Sequence, residues 1–304
     1  MVDKEHMKLI AHPSLNALAQ ECQEWLEHAQ AKGKAQHAET ALQAYLDAPG
    51  ELAPKAANPL ADLALFYDVR SCDAFFRSDF QTLAQSIQRA VRLRALHFRW
   101  MAMYSDMRQD LGNWPREFSD SMKALGPCML SWWDEAAICA QRYIEMAEKD
   151  QRINTRPAMR KIKNSTSDVF ALALFSTGFE VPTDFAPLSP LVPEYRSVLD
   201  AWATQDELKF QAVMQVAADF HVSRSKENTD HTRYEFDATI DRVFPAELLA
   251  VQALRRRHQL PEFQVDHPLI DEPWKVLREM ESDDDFTLAR AVEARLVRDY
   301  PQFR

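Results

Sequence analysis

Three acid–histidine juxtapositions crowd one stretch of the chain: Asp219 with His221, Asp230 with His231, and Asp266 with His267. Imidazoles and carboxylates together are the raw material of a metal-dependent hydrolase or of general acid–base work. The spacing argues against both. A catalytic metal needs ligands converging on one ion, commonly from an HxxxH helix or a comparable fixed interval, and the sequence has none. Neighbouring residues on a helix or strand point apart, so Asp230 and His231 do not chelate side by side. No G-x-S-x-G elbow occurs and no cysteine lies near a histidine, which leaves nucleophilic catalysis without a local motif. The alternative is structural: Asp266 and His267 anchor a turn before Pro268, and the other pairs cap or hydrogen-bond helix ends. The expectation is no catalytic residue, no cofactor and no metal, with a metal-dependent hydrolase on the His and Asp residues of 219–267 kept as an alternative.

Composition bounds the rest. The 304 residues are 46% hydrophobic and 27% charged, the balance of a globular chain with length to bury a real core. Five glycines stand against sixteen prolines, so tight β-hairpins and phosphate-cradling loops are disfavoured and helices expected. The net charge of −10 repels nucleic acid and anionic membranes and attracts basic partners. The acid sits at the ends: 10 acids against 6 bases over residues 1–70, and 17 against 12 over 225–304. Cys22, Cys72, Cys128 and Cys139 match no zinc or redox spacing and read as buried thiols. MVDKEHMKLI has no leader character and no apolar run approaches 18 residues, so a cytoplasmic chain is expected.

The elements that must position these residues read as helices. Leu15, Leu18, Cys22, Trp25, Leu26 and Ala29 recur at the helical period after a Ser14 N-cap, and Ala38, Leu42, Tyr45 and Leu46 continue beyond Gly33. Residues 49–59 read as a loop, then helices over 60–77 and 80–111. The second carries Arg89, Arg92, Arg94 and Arg99, but Asp73, Asp79, Asp106 and Asp110 lie nearby and no net basic stripe for nucleic acid results. Gly112 to Pro115 punctuates, a run through Phe118, Met122 and Leu125 follows, and Gly126-Pro127 separates it from a helix over 128–149. Trp132 and Trp133 there suit a core better than a stacked ligand. Residues 151–165 read as a basic connection and 168–175 as a helix. The stretch 178–193, with four prolines, reads as an extended linker: either a long loop in a single all-α domain, or the joint between helical subdomains 1–177 and 194–304.

A weak echo supports an irregular array of antiparallel helical hairpins. Phe75 precedes Asp79, and Trp202 precedes Asp206, by four residues, and each aspartate opens an amphipathic helix as its N-cap. After the helix over 207–221, a polar break from Ser223 to Asp230 leads to Tyr234-Glu235-Phe236. Pro245 then stands as a first helical residue, Glu247 in the first turn, and Arg255, Arg256, Arg257 and His258 in the last turn, the sign a helix macrodipole favours. A last helical pair follows Pro273, split by Glu281-Ser282-Asp283-Asp284-Asp285. With Glu279, these acids form a candidate contact for a basic partner, and Asp284 or Asp285 a candidate cap for the helix near Phe286.

The set Asp219-x-His221, Tyr234-Glu235-Phe236, Phe244-Pro245-Ala246-Glu247, a helix ending in basic residues, and Asp266-His267-Pro268-Leu269 resembles the C-terminal half of the immunity protein 49 family. The likeness is clearest over 195–270, and the Trp202/Asp206 and Phe75/Asp79 pairs fit the same helical pattern. The resemblance implies an all-α antidote that binds and occludes a cognate bacterial toxin, many such toxins being nucleases with basic clefts, and which needs no cofactor. It implies that Trp202, Asp206, Asp219, His221, Tyr234, Glu235, Phe236, Phe244, Pro245, Glu247, Asp266, His267 and Pro268 maintain the fold, with the contacts elsewhere. A helical adaptor or chaperone with a broad apolar groove is the other non-enzymatic reading.

Overall fold

The computed structural model describes residues 8–48, 53–107, 120–155, 166–232, 234–282 and 286–303. Regular structure among them is entirely helical, with no strand. After a single 3-10 turn at Pro13–Leu15 come α1 (Asn16–Ala31), α2 (Lys34–Asp47), α3 (Ala53–Phe76), α4 (Phe80–Met107), α5 (Ser121–Met129), α6 (Trp133–Ile153) and α7 (Thr166–Gly178). The C-terminal part holds α8 (Pro193–Ala201), α9 (Glu207–Arg224), α10 (Thr239–Val243), α11 (Ala246–Arg257), α12 (Pro268–Leu277) and α13 (Thr287–Asp299).

The organising element is α4. It packs along α3 and is also met by α5, α6 and α13. Its apolar stripe of Leu83, Ile87, Val91 and Leu96 is fully buried, as expected of an amphipathic helix, but neighbours on several sides bury much of its polar face as well. The four arginines therefore work inside the protein. Arg94 is buried and pairs with Asp68 of α3 (3.0 Å) and Asp241 of α10 (2.5 Å). Arg99 pairs with Glu293 of α13 and lies over the Phe303 ring (4.6 Å). Arg89 covers Tyr67 and Phe286, and Arg92 covers Trp132.

Several boundaries differ from the sequence reading, each for a local reason. Ser14 lies inside the 3-10 turn, whose cap is His12, with Nδ1 accepting from the Ser14 amide (3.2 Å). Within the expected loop 49–59, α3 already begins at Ala53 and carries Pro59 inside it, while 49–52 lie outside the described residues. Gly126 and Pro127 do not break α5. A side chain at Gly126 would meet Val91 at 3.1 Å, so the glycine serves close packing on α4. Pro273 likewise sits within α12, and Pro245 is the cap before α11 rather than its first residue. Residues 108–119 and 156–165, which include the Gly112 punctuation and most of the basic connection, are outside the described residues.

Gly33 takes the left-handed position after α1, but with glycine scarce other such positions fall on other residues. Ser78, Ser131 and Gln259 have φ of 55°, 60° and 55°. Each is followed by an amide reaching back over the helix end: Asp79 to the Ala74 carbonyl, Trp132 to Pro127 and Leu260 to Arg255 (2.9, 2.9 and 3.0 Å). These are Schellman closures made without glycine. The expected acid caps are present. Asp79 Oδ1 accepts from the Thr82 amide and Asp206 Oδ1 from the Lys209 amide, both at 3.1 Å.

One connected hydrophobic cluster runs from Leu9 to Phe303. Residues 179–192 carry no regular structure, as the prolines require, yet they are tied to α6: the Asp184 amide donates to Glu148 and the Ala186 amide to Gln151. On the far side of that segment α11 packs against α5 and α7, and α13 against α2 and α4. Arg295 of α13 donates to the Tyr45 and Ala48 carbonyls at the C-terminal end of α2, where a cation is favoured.

Candidate functional site

The acid–histidine residues assemble in a way the sequence order conceals. His221, in the last turn of α9, lies fully buried with Nδ1 2.6 Å from Oε1 of Glu247, which the first turn of α11 supplies. The Tyr195 hydroxyl of α8 donates to the same Glu247 oxygen at 3.0 Å. The Phe236 ring stacks on the imidazole with centroids 3.8 Å apart. A carboxylate holding an imidazole is the orienting half of many acid–base sites. Here both partners have zero solvent exposure, and a benzene ring closes one face of the imidazole. The arrangement joins α8, α9, α11 and the 225–238 segment, and offers no approach to a substrate. His221 Nε2 and Glu247 Oε2 have no hydrogen-bond partner among the described residues.

The other motif residues also do structural tasks. Glu235 reaches across to the start of α7, where its Oε1 accepts from the Thr166 amide (2.6 Å) and from the Ser167 amide, a cap supplied from a distant segment. Phe244 is buried edge-on against Phe75 (5.5 Å), which ties the end of α10 to the end of α3. His267 caps α12 through Nδ1, which accepts from the Leu269 amide (3.3 Å), with Pro268 at the first helical position. Asp271 gathers the Val265 and His267 amides (2.9 and 3.1 Å). Asp266 adopts φ 60° and is exposed. Tyr234 is half-buried, with Lys226 over its ring.

Asp219 and His221, two residues apart on α9, point to opposite sides of the helix, and Asp219 lies 3.6 Å from Nε2 of His267. Arg255, in the last turn of α11, faces inward. It is fully buried and donates to the carbonyls of Trp202 (2.5 Å), Thr204 (3.0 Å) and Pro261 (2.7 Å). Its guanidinium lies over Phe210 (4.1 Å) and Phe263 (4.8 Å). Trp202 thus enters the motif through its backbone oxygen. The role of Arg255 had one sequence signal, since positions three and four away on its helix hold no acid. Tyr195 and the Thr166–Ser167 target of Glu235 had none. Asp230 and His231 are exposed and do not join the cluster.

No known family model, curated protein or solved structure matches this chain.

Chemistry elsewhere is equally quiet. Among the described residues no three His, Cys, Asp or Glu side chains converge as a metal site, and no helix is long and apolar enough to cross a membrane. The four cysteines are buried. Burial pushes the Cys128 thiol up to about 12 and raises Cys72 and Cys139 too, so these three stay protonated and unreactive.

The surface that matches the expected partner contact is a groove of about 780 Å³ between the first turns of α4 and the segment after α12. Its walls are Gln81, Gln85 and Gln88 on one side and Glu279, Met280, Glu281 and Ser282 on the other. Glu279 and Glu281 are exposed. Arg278 Nε stands 3.5 Å from Glu279, which tempers that charge, while Gln88 Nε2 fixes the wall by donating to the Glu281 carbonyl (3.0 Å). Asp283, Asp284 and Asp285 lie outside the described residues. The N-cap position of α13 is Phe286.

Proposed function

We propose that the protein is an immunity-type antidote, which binds the catalytic domain of a cognate bacterial toxin and blocks it by occlusion. The observation that carries this reading is the convergence of the motif residues. Three of the residues resembling the immunity protein 49 pattern, His221, Phe236 and Glu247, meet with Tyr195 in one buried assembly that locks four segments together, and Glu235, Phe244 and His267 tie further segments to the fold. Such a motif preserves a fold while leaving the surface free to follow a varying partner. The acidic excess and the Glu279–Glu281 groove suit a partner with a basic surface, because complementary charge speeds encounter and fixes orientation. In this account the protein acts in the cytoplasm, as a binding protein and not as an enzyme.

A toxin-like gene directly upstream would support the proposal, and co-expression of the two proteins tests it. Growth rescue and a complex that survives gel filtration are expected. Toxicity undiminished by the antidote, with the two proteins eluting apart, would overturn it.

One observation favours the adaptor reading. The outer face of α9 presents Leu208, Ala212 and Val216 at one-turn intervals, with Leu208 76% and Val216 51% exposed. Robust binding of several unrelated clients without inhibition would select that reading instead.

A further inference from the structure

Residues 8–15 form a strap that crosses from the α3–α4 turn to the start of α12. The Leu9 amide donates to Ser78 Oγ (2.9 Å), the Ile10 amide to Glu272 Oε2 (3.2 Å), and the Leu9 and Leu15 side chains are buried. Between these anchors the His12 ring lies flat on the His267 ring, with centroids 5.2 Å apart and planes 12° from parallel. Two segments from opposite ends of the chain are therefore joined by a pair of imidazoles.

That contact is conditional on charge. Two rings stack readily while at least one is neutral. Two imidazolium rings at this separation repel, in a partly buried setting that screens them less than open water would. The charged groups facing the pair come from three elements. Asp219 of α9 stands 3.6 Å from His267 Nε2, with its side chain 77% exposed. From α12, Asp271 accepts from the His267 amide, and Glu272 holds the Ile10 amide while pairing with Lys275 (2.5 Å). From the strap, Lys8 is exposed. Only Asp219 is placed against both rings, and it is too exposed to neutralise two cations.

We propose that the His12–His267 stack is an acid-released latch, which holds residues 8–15 across the start of α12 at neutral pH and frees them on double protonation without unfolding the helical core. Burial, ahead of the opposing pull of Asp219, holds both imidazoles below their usual range, and His12 further lowers the tendency of His267 to charge. The sign follows: a group lowered in the closed form favours closure above its ordinary value of 6.5, and that contribution is lost as pH falls through the lowered value.

Amide hydrogen exchange on the intact chain reads the latch directly. Between pH 7.5 and pH 5, after correction for the intrinsic exchange rate, protection of the Leu9 and Ile10 amides should fall about tenfold, or about 1.4 kcal/mol, while the amides of α4 hold. Two variants separate the histidine pair from Glu272, whose carboxylate also holds the strap. His12→Asn retains an acceptor for the Ser14 amide but no ring, so its strap should be less protected at pH 7.5 and no less so at pH 5; His12→Phe retains a ring on His267 and should keep the strap protected at pH 5. Unchanged protection in the natural sequence, the same acid loss in both variants, or loosening of α4 together with the strap would each overturn the proposal.

Discussion

Replacing Arg255 by methionine tests whether the motif region is held as described. The methionine fills much of the same volume but removes three donors to the Trp202, Thr204 and Pro261 carbonyls and the cation over Phe210 and Phe263. Hydrogen bonds to a charged group are worth about 1.5–3 kcal/mol each, so three would reach at least about 4.5 kcal/mol if all were lost outright. Two terms reduce this. The three carbonyl residues are not fully buried, so water can take over part of the bonding. Burial also disfavours the charged guanidinium, as the lowered pKa of Arg255 indicates, so removing the charge returns some desolvation energy. A net loss of about 3 kcal/mol results. In urea unfolding, with a slope near 3 kcal/mol/M for a chain of this size, the midpoint should drop by roughly 1 M. Lysine keeps the charge but not the planar fork and should recover less than half of the loss. A methionine variant within about 0.5 kcal/mol of the natural protein would refute the reasoning, since desolvation would then cancel the carbonyl contacts entirely.

Three further outcomes follow from the same structure. Burial raises Asp68 to about 6 despite Arg94, and lowers His97 to about 4, so their linkages oppose each other. Asp68 stabilises below about pH 4 and loses this as pH rises through 6, whereas His97 contributes above 6.5 and loses this as pH falls through 4, each by about 3 kcal/mol. Asp68→Asn should therefore leave stability falling steeply from pH 6.5 to 4, and His97→Gln should leave it falling from pH 4 to 6; parallel melting profiles for the two variants would contradict this. Truncating the buried Phe244 to alanine should cost about 3–5 kcal/mol by chemical denaturation, and truncating the half-buried Tyr234 less than half as much. Equal losses would show that burial does not set the cost. Neutralising Glu279, Glu281, Asp283, Asp284 and Asp285 together should slow association with the toxin and flatten its salt dependence, with melting temperature unchanged; an unaltered on-rate would confine these acids to solubility.

The helices were legible because their signals are local. The stripes of α1, α2, α4 and α6, and the caps at Asp79 and Asp206, depend on residues within two turns of each other. Apart from the caps at His12 and Phe286, the misplaced boundaries involve proline or glycine, at Pro59, Gly126-Pro127, Pro245 and Pro273. There, burial against a neighbouring helix overrides a backbone preference that the sequence displays without its tertiary context. The histidine cluster shows the same division. That Asp230 and His231 cannot chelate side by side follows from local geometry and needs no structure. That His221 meets Glu247 and Tyr195, and that Glu235 caps a helix almost seventy residues away, follows only from how α7, α8, α9 and α11 pack. The burial of Arg255 was not legible, because the carbonyls that enclose it come from two other segments.

The most direct test of the proposed function is a titration of a purified candidate toxin with the purified chain while toxin activity is followed. The account predicts that activity falls to zero at one antidote per toxin, with an association rate that drops as salt is raised. Full toxin activity in the presence of a molar excess of the folded chain would contradict it.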